Sequence, residues 1–306
     1  MAEWLLSDMG ATHTRLALAT GDGLRPETAQ RLANTDFAAP EALIAAYLGS
    51  AQVSAACAGV AGPVRGQAAQ LTNLDWRIES ASLARLTGAA RVHLMNDLQA
   101  QAMALDDLAP GHLDPILPGT PDPDGARMVL GLGTGSNIAV AYRVGDRLFV
   151  PPAEAGHSGL PHLDEAANAV IVALGREVAH KPYEALLSGP GLARLHRLRT
   201  GETRDAPAIV AAAGDGGPAR DTLALFARLL GAVAGNLALT HMATGGVYLI
   251  GGTARAVAPH LTGTDFASTF TARGPYAGIM QAMPVTLITD DMAALRGCWR
   301  ALRQRT

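Results

Sequence analysis

Asp8-Met9-Gly10-Ala11-Thr12-His13-Thr14-Arg15 closes the apolar stretch Trp4-Leu5-Leu6-Ser7 with an acid, a small-residue turn and hydroxyls. A second such turn, Gly131-Leu132-Gly133-Thr134-Gly135-Ser136, follows Met128-Val129-Leu130. Backbone N–H groups and hydroxyls in paired turns of this kind hold a polyphosphate from two sides, and the acid anchors magnesium. The pair points to nucleoside-triphosphate chemistry. Alone, the first turn reads more often as an ordinary hairpin than as a phosphate loop, because Gly and Asp are the default turn residues, and the second is similarly ambiguous.

Working outward, 306 residues with 49% hydrophobic and 17% charged content suffice for two domains with sizeable cores. A formal net charge of -3 without a basic run argues against nucleic acid or a membrane surface and for a small solute. Cys57 and Cys298 have no zinc-spaced neighbours, so free thiols in a reducing, cytoplasmic compartment are expected. The chain reaches Asp8 too early for a signal h-region. The apolar run Leu223 to Met242, broken by Arg228, Gly231, Gly235, Asn236 and His241, reads as a buried helix. The sole lysine, Lys181, sits in His180-Lys181-Pro182, which excludes a P-loop lysine and a protein-kinase strand lysine. Backbone amides, Mg²⁺ and arginine are left to meet the charge of ATP.

Strand and helix signals alternate through the first third: strands near 4–8, 14–20, 53–60, 68–72 and 92–95, and helices near 40–49 and 81–87. Pro110–Gly125 lacks periodicity and marks a domain boundary. The pattern restarts at Met128 with a hairpin at 137–144 and 147–150. Helices then follow near 164–179, 190–199, 206–213 and 219–242, and strands at 247–250 and 285–289 precede a last helix near 292–303. Each half opens with a strand leading into a phosphate-type turn. This predicts two related α/β halves, a small domain over 1–109 and a large one over 110–291, with ATP in the cleft between them and helix 292–306 free to pack back on the small domain.

Asn96-Asp97 follows Val92–Met95 and precedes a helical pattern. A helix cap is the plain reading of the acid. An acid at a strand's C-terminal edge also lies where α/β proteins put ligands, placed to accept a hydroxyl proton in phosphoryl transfer. Glu154-Ala155-Gly156-His157 joins an acceptor to a switchable donor beside a glycine, a mixture suited to polyhydroxyl recognition. Glu184-Ala185-Leu186-Leu187-Ser188-Gly189-Pro190-Gly191 adds an acid and a rigid turn opening a helix.

In this order the motifs resemble those of the bacterial glucokinase family, sugar kinases of the hexokinase and actin-like ATPase superfamily. The likeness runs through Asp8–Arg15, Ala61-Gly62-Pro63-Val64, Leu71-Thr72-Asn73-Leu74-Asp75-Trp76, Asn96-Asp97, Gly133–Gly135, Glu154–His157, Leu187–Leu192 and Gly246–Gly252. The resemblance implies a two-lobed α/β, actin-like ATPase (ribonuclease H-like) fold with the active site in the inter-lobe cleft, closure around sugar, and a homodimer. It implies Asp97 as general base on the sugar 6-hydroxyl, with Asn96, Glu154, His157 and Glu184 on the other hydroxyls. Asp8 would hold Mg²⁺ through water, Gly10, Thr12, Gly133, Thr134 and Gly135 would line the phosphates of ATP, and Gly251-Gly252 would border the nucleoside.

Several positions depart from the family pattern. Ala11 stands for a second glycine and His13 for Asn. A left-handed backbone at residue 11 would cost about 1–2 kcal/mol with a Cβ present. Ser136-Asn137 replaces Leu-Gly and resembles the corresponding turn of eukaryotic hexokinases, which implies a sugar contact for Asn137. Ala155 replaces a glycine, and Asp291-Met292-Ala293-Ala294 replaces Asn-Pro-Gly-Leu. The expected activity is an ATP- and Mg²⁺-dependent hexose 6-kinase with glucose the first candidate. The alternatives are a kinase for another hexose or amino sugar, a non-catalytic sugar-binding regulator, and an actin-like assembly protein.

Overall fold

The computed structural model describes residues 3–72 and 74–305; Asn73 of the Leu71–Trp76 motif lies outside the described residues. Two compact units form, one of Met1–Ala109, Asp146–Pro152 and Asp290–Thr306, the other of Pro110–Gly145 and Ala153–Thr289.

The first unit is built on a sheet ordered Gly23–Ala33, His13–Thr20, Trp4–Met9, Ala55–Val60, Arg91–Asn96. Trp4–Met9 is antiparallel to His13–Thr20 and parallel to Ala55–Val60. Both inner strands are apolar and almost wholly buried, as strands covered on two faces must be. Gly23–Ala33, polar and containing Pro26, carries no strand alternation; it is an edge strand with few buried side chains. Helices Asp97–Met103 and Ala293–Arg303 pack closely, since a Cβ at Gly297 would lie 1.6 Å from the Ala100 carbonyl oxygen.

In the second unit the strand order is Ser136–Val144, Arg127–Leu132, Val247–Ile250, Val285–Ile288, Leu113–Leu117. Again the opening strand pairs antiparallel with the next in chain and parallel with a later one. The 25-residue helix Gly217–His241 is the core of this unit; 72% of its most apolar window is buried. A Cβ at Gly231 or Gly235 would meet the carbonyl oxygen of Phe266 or Phe270 at 2.4 Å, so both glycines admit the helix Phe266–Thr271.

Two sequence expectations need correction. Pro110–Gly125 is not wholly irregular, because Leu113–Leu117 is an edge strand; Pro115 tolerates that place but hides it. A division at 109/110 assigns 146–152 to the large domain, whereas these residues pack in the first unit. The Leu148 N–H donates to Gln304 Oε1 (2.7 Å), and Gln99 Nε2 donates to the Val150 carbonyl (2.7 Å).

Candidate active site

The candidate residues fall into two groups, one in each unit. In the first, the turn after Trp4–Met9 is held from a distance. The Gly10 N–H donates to the His13 carbonyl, and buried Asn34 donates from Nδ2 to the Gly10 carbonyl (2.9 Å) and from its N–H to the Thr12 carbonyl (3.0 Å). A Cβ at Gly10 would come to 3.0 Å from the His13 carbonyl oxygen, so glycine suits that position. Ala11 is not among the positive-φ residues. The condition for backbone strain there is not met, and its methyl group carries no such penalty.

Asp8 sits opposite Arg15 in the antiparallel register, with an ion pair of 3.5 Å and a side chain 13% exposed. Burial nonetheless raises its pKa, outweighing the attraction of Arg15. On its other side Asp8 is in register with Gly59, and Gly59 with Met95. A Cβ at Gly59 would lie 3.1 Å from Ala100 Cβ and 3.6 Å from Asp97 Cα. The missing side chain admits the helix that carries Asp97.

Asn96, not Asp97, is the cap of that helix. Its Oδ1 accepts from the Leu98 N–H (3.0 Å), Gln99 Oε1 accepts from the Asn96 N–H (3.0 Å), and its Nδ2 reaches the Val60 and Gly62 carbonyls. Asp97 therefore takes the first helical position, where Oδ1 accepts from the Leu98 N–H at 2.9 Å. Burial, followed by the negative charge of Asp8, pushes its pKa from 3.8 to about 7, against the lowering effect of its hydrogen bonds. A carboxylate poised near neutrality is suited to general-base work.

In the second unit, strand Ser136–Val144 and two loops gather the other group. The loops are zipped together by the Leu160 N–H to the Lys181 carbonyl (3.1 Å) and the Tyr183 N–H to the Ser158 carbonyl (2.8 Å). This brings the Glu154–His157 turn to the Glu184 turn, and the His157 and His180 rings stack at 6.4 Å. Glu184 Oε2 accepts from the Ser136 N–H (2.9 Å). Asn137 Nδ2 donates to Glu154 Oε2 (3.0 Å) and to the Ala153 carbonyl (2.7 Å). Glu154 and His157 are exposed and Glu184 is half-buried.

Gly133 and Thr134 border a mainly apolar cavity of about 660 Å³ walled by Pro190, Pro207, Val210, Ala256 and their neighbours, Gly252 and Thr253 among them. The Gly133 carbonyl is fixed by the Gly189 N–H (2.8 Å) and Thr253 Oγ1 (3.1 Å). Gly251, at φ +109, turns directly against Leu132, where a Cβ would meet the carbonyl oxygen at 2.4 Å. The cavity is of the size and character of a nucleoside pocket. Sequence reading missed Val210, Ala256 and Pro207 because they look like any apolar helix residues. Asn34 was hidden by its 24-residue separation from Gly10. Gln99, three residues after Asn96, did carry a signal in the capping-box spacing.

Among the described residues no group of three or more His, Cys, Asp or Glu side chains is arranged to hold a metal ion. Mg²⁺ held mainly by phosphates and water needs only one or two protein carboxylates; Asp8, largely buried beside the Gly10 turn, is the carboxylate that fits such a place.

Comparisons with known proteins place the molecule among ATP-dependent sugar kinases. The family model described as Glucokinase matches residues 5–305. The glucokinase of Saccharophagus degradans is 33% identical over 311 residues, covering 97% of each chain. The crystal structure of a glucokinase from an Antarctic psychrotroph superposes with a TM-score of 0.90 at 28% identity, covering 99% of both chains. The glucokinase of Balamuthia mandrillaris in complex with glucose, at 19% identity, shares the fold (TM-score 0.77, 99% of this chain and 94% of that one). The chain belongs to the glucokinase family, and its fold is the two-lobed actin-like ATPase type.

Proposed function

We propose that this protein transfers the γ-phosphoryl group of ATP to the 6-hydroxyl of a hexose, with glucose as the preferred substrate. Family membership over nearly the whole chain supports the reaction class. The observation that carries the mechanism is the Asp97 carboxylate, raised to about 7 at the first turn of its helix. The sugar 6-oxygen forms the new P–O bond as the bond between the γ-phosphorus and the bridging oxygen breaks, and the hydroxyl proton passes to Asp97. Glu154, Glu184 and His157 bind hydroxyls that do not react. In the two turns the Gly10 and Gly133 N–H groups are taken by the His13 and Gly135 carbonyls, so those of Ala11, Thr12, Thr134 and Gly135 would meet the phosphates, and the cavity at Val210 takes the nucleoside. Asp8 would hold Mg²⁺ through water, and the ion would offset phosphate charge. Catalysis is mainly positioning and charge stabilisation.

The buried free thiols Cys57 and Cys298 support a reducing cytoplasmic setting, and a homodimer is part of the same proposal. The test is an ATP-dependent phosphorylation screen over glucose, its 2- and 4-epimers, fructose and amino sugars, with the product identified as the 6-phosphate. Glucose should give the highest kcat/KM. Binding without turnover of any sugar would mark a regulator instead.

A further inference from the structure

The dipeptide Ser136-Asn137 grips both carboxylates of the second-unit group. The Ser136 N–H holds Glu184 Oε2 at 2.9 Å, and Asn137 Nδ2 holds Glu154 Oε2 at 3.0 Å. A primary amide has two N–H donors. The second donor of Asn137 goes to the Ala153 carbonyl at 2.7 Å, and its Oδ1 accepts from the Ile138 N–H at 2.8 Å. Both donors are spent inside the protein, so neither is left for a sugar hydroxyl.

The surroundings are built around this grip. A Cβ at Gly135 would lie 2.7 Å from Glu184 Oε2, and one at Gly156 would lie 1.9 Å from the Ser136 carbonyl oxygen. Both glycines are where the backbone must come close to the clamp. Among the described residues, the hydrogen bonds to the Glu154 and Glu184 carboxylates fall on Oε2 of each. The grip thus settles two carboxylate orientations from adjacent positions on one strand.

Resting on the hexose-kinase reading, we propose that Asn137 is a positioning residue, which acts on sugar selection by holding the Glu154 carboxylate and not by touching the sugar. Together with the Ser136 N–H it fixes the spacing between the two carboxylates, and discrimination among hexose epimers depends on that spacing. A glutamate held before binding loses less side-chain freedom when the sugar arrives, an advantage of about threefold to tenfold in affinity.

The test is a double-mutant cycle of Asn137→Ala and Glu154→Ala, read as KM and kcat for glucose and its epimers. Asn137→Ala should raise glucose KM about threefold to tenfold, leave kcat and ATP KM within about twofold, and narrow the preference between epimers. In the Glu154→Ala background, which leaves Asn137 Nδ2 no side-chain oxygen to hold, Asn137→Ala should add almost nothing, because its effect runs through the missing carboxylate. Asn137→Asp, of the same shape, faces Glu154 with a like charge and should raise KM further; it serves where the alanine variant folds poorly. Fully additive effects would make Asn137 a direct ligand and overturn the proposal, as would an unchanged glucose KM in both variants. A parent protein that phosphorylates no hexose would sink the underlying reading, an outcome visible in the same assay before any variant is compared.

Discussion

The hairpins Trp4–Thr20 and Arg127–Val144 share one plan: an apolar strand, a small-residue turn, an antiparallel return and a parallel neighbour added later in the chain. They differ in what they do with negative charge. The first places Asp8 in register with Arg15 yet buries it, and the Asp8 charge helps lift Asp97 to about 7. The second has Gly131 where the first has Asp8, and its acids, Glu154 and Glu184, come from loops and are met by N–H donors. One topology thus provides a carboxylate whose proton affinity is raised by burial and like charge, and two carboxylates held by N–H donors. Under the proposed mechanism, environment and not residue type separates base from ligand.

The sharpest way to break this contrast is Asp97→Asn. General-base assistance is worth about 10²–10⁴-fold, so kcat should fall by that much while hexose KM moves less than about threefold. Steady-state kinetics with glucose and ATP decide it. A near-normal kcat would reduce Asp97 to a structural acid at a helix start. Glu184→Gln should do the reverse. The loss of a charged acceptor to hydroxyls, at about 1.5–3 kcal/mol, raises glucose KM by about tenfold to a hundredfold with a smaller change in kcat.

The pH dependence sharpens the same difference. With its folded pKa at about 7 against an ordinary 3.8, Asp97 is protonated below neutrality, so kcat/KM for the sugar should fall about tenfold per pH unit on the acid side of 7. Stability follows the opposite sign. The protonated form favours the fold, so the contribution of Asp97 is fully present below 3.8 and is lost as pH rises through 7. Asp97→Asn should therefore gain in Tm relative to the parent between pH 4 and 8. An equal Tm difference at both ends would show that the environment does not raise this carboxylate.

The cavity proposed for the nucleoside offers a control that touches neither group of acids. Ala211→Phe, on the wall with Val210, should raise ATP KM about tenfold or more by overfilling it, at about 1–3 kcal/mol, with glucose binding unchanged by calorimetry. Equal losses for both substrates would mean that the cavity does not serve the nucleotide alone.

How much of this was legible in the sequence depended on range. The strands around Asp8 and Gly133, the helix after Asp97 and the long helix near 219–242 announce themselves through local apolar patterning. The Asn96–Gln99 box carries a local signal too, but the plain reading of the stretch makes Asp97 the cap, and the structure gives that place to Asn96. Asn34, Gly59 and the Ser136 N–H act through contacts made only when distant segments meet, so no local period marks them. The edge strands Gly23–Ala33 and Leu113–Leu117 escaped for a different reason. With few buried side chains and a proline in each, they need no alternation to be paired.

The smallest expected effect concerns Ala11, where the family pattern has glycine. A penalty would require a left-handed backbone or a clash, and Ala11 is not in the positive-φ region. The close approach in this turn falls on Gly10, whose absent Cβ would sit 3.0 Å from the His13 carbonyl oxygen. Asn34 also fixes the carbonyls of Gly10 and Thr12 on either side of residue 11. Ala11→Gly should accordingly leave ATP KM and kcat within about twofold. Its main effect acts through the unfolded chain, where glycine adds freedom worth about 0.4–1 kcal/mol, so Tm should fall slightly. Gly10→Ala at the adjacent position should raise ATP KM more than Ala11→Gly changes it. If Ala11→Gly instead lowers ATP KM several-fold, the methyl group crowds the phosphates, and the first hairpin is less well adapted to its nucleotide than the second.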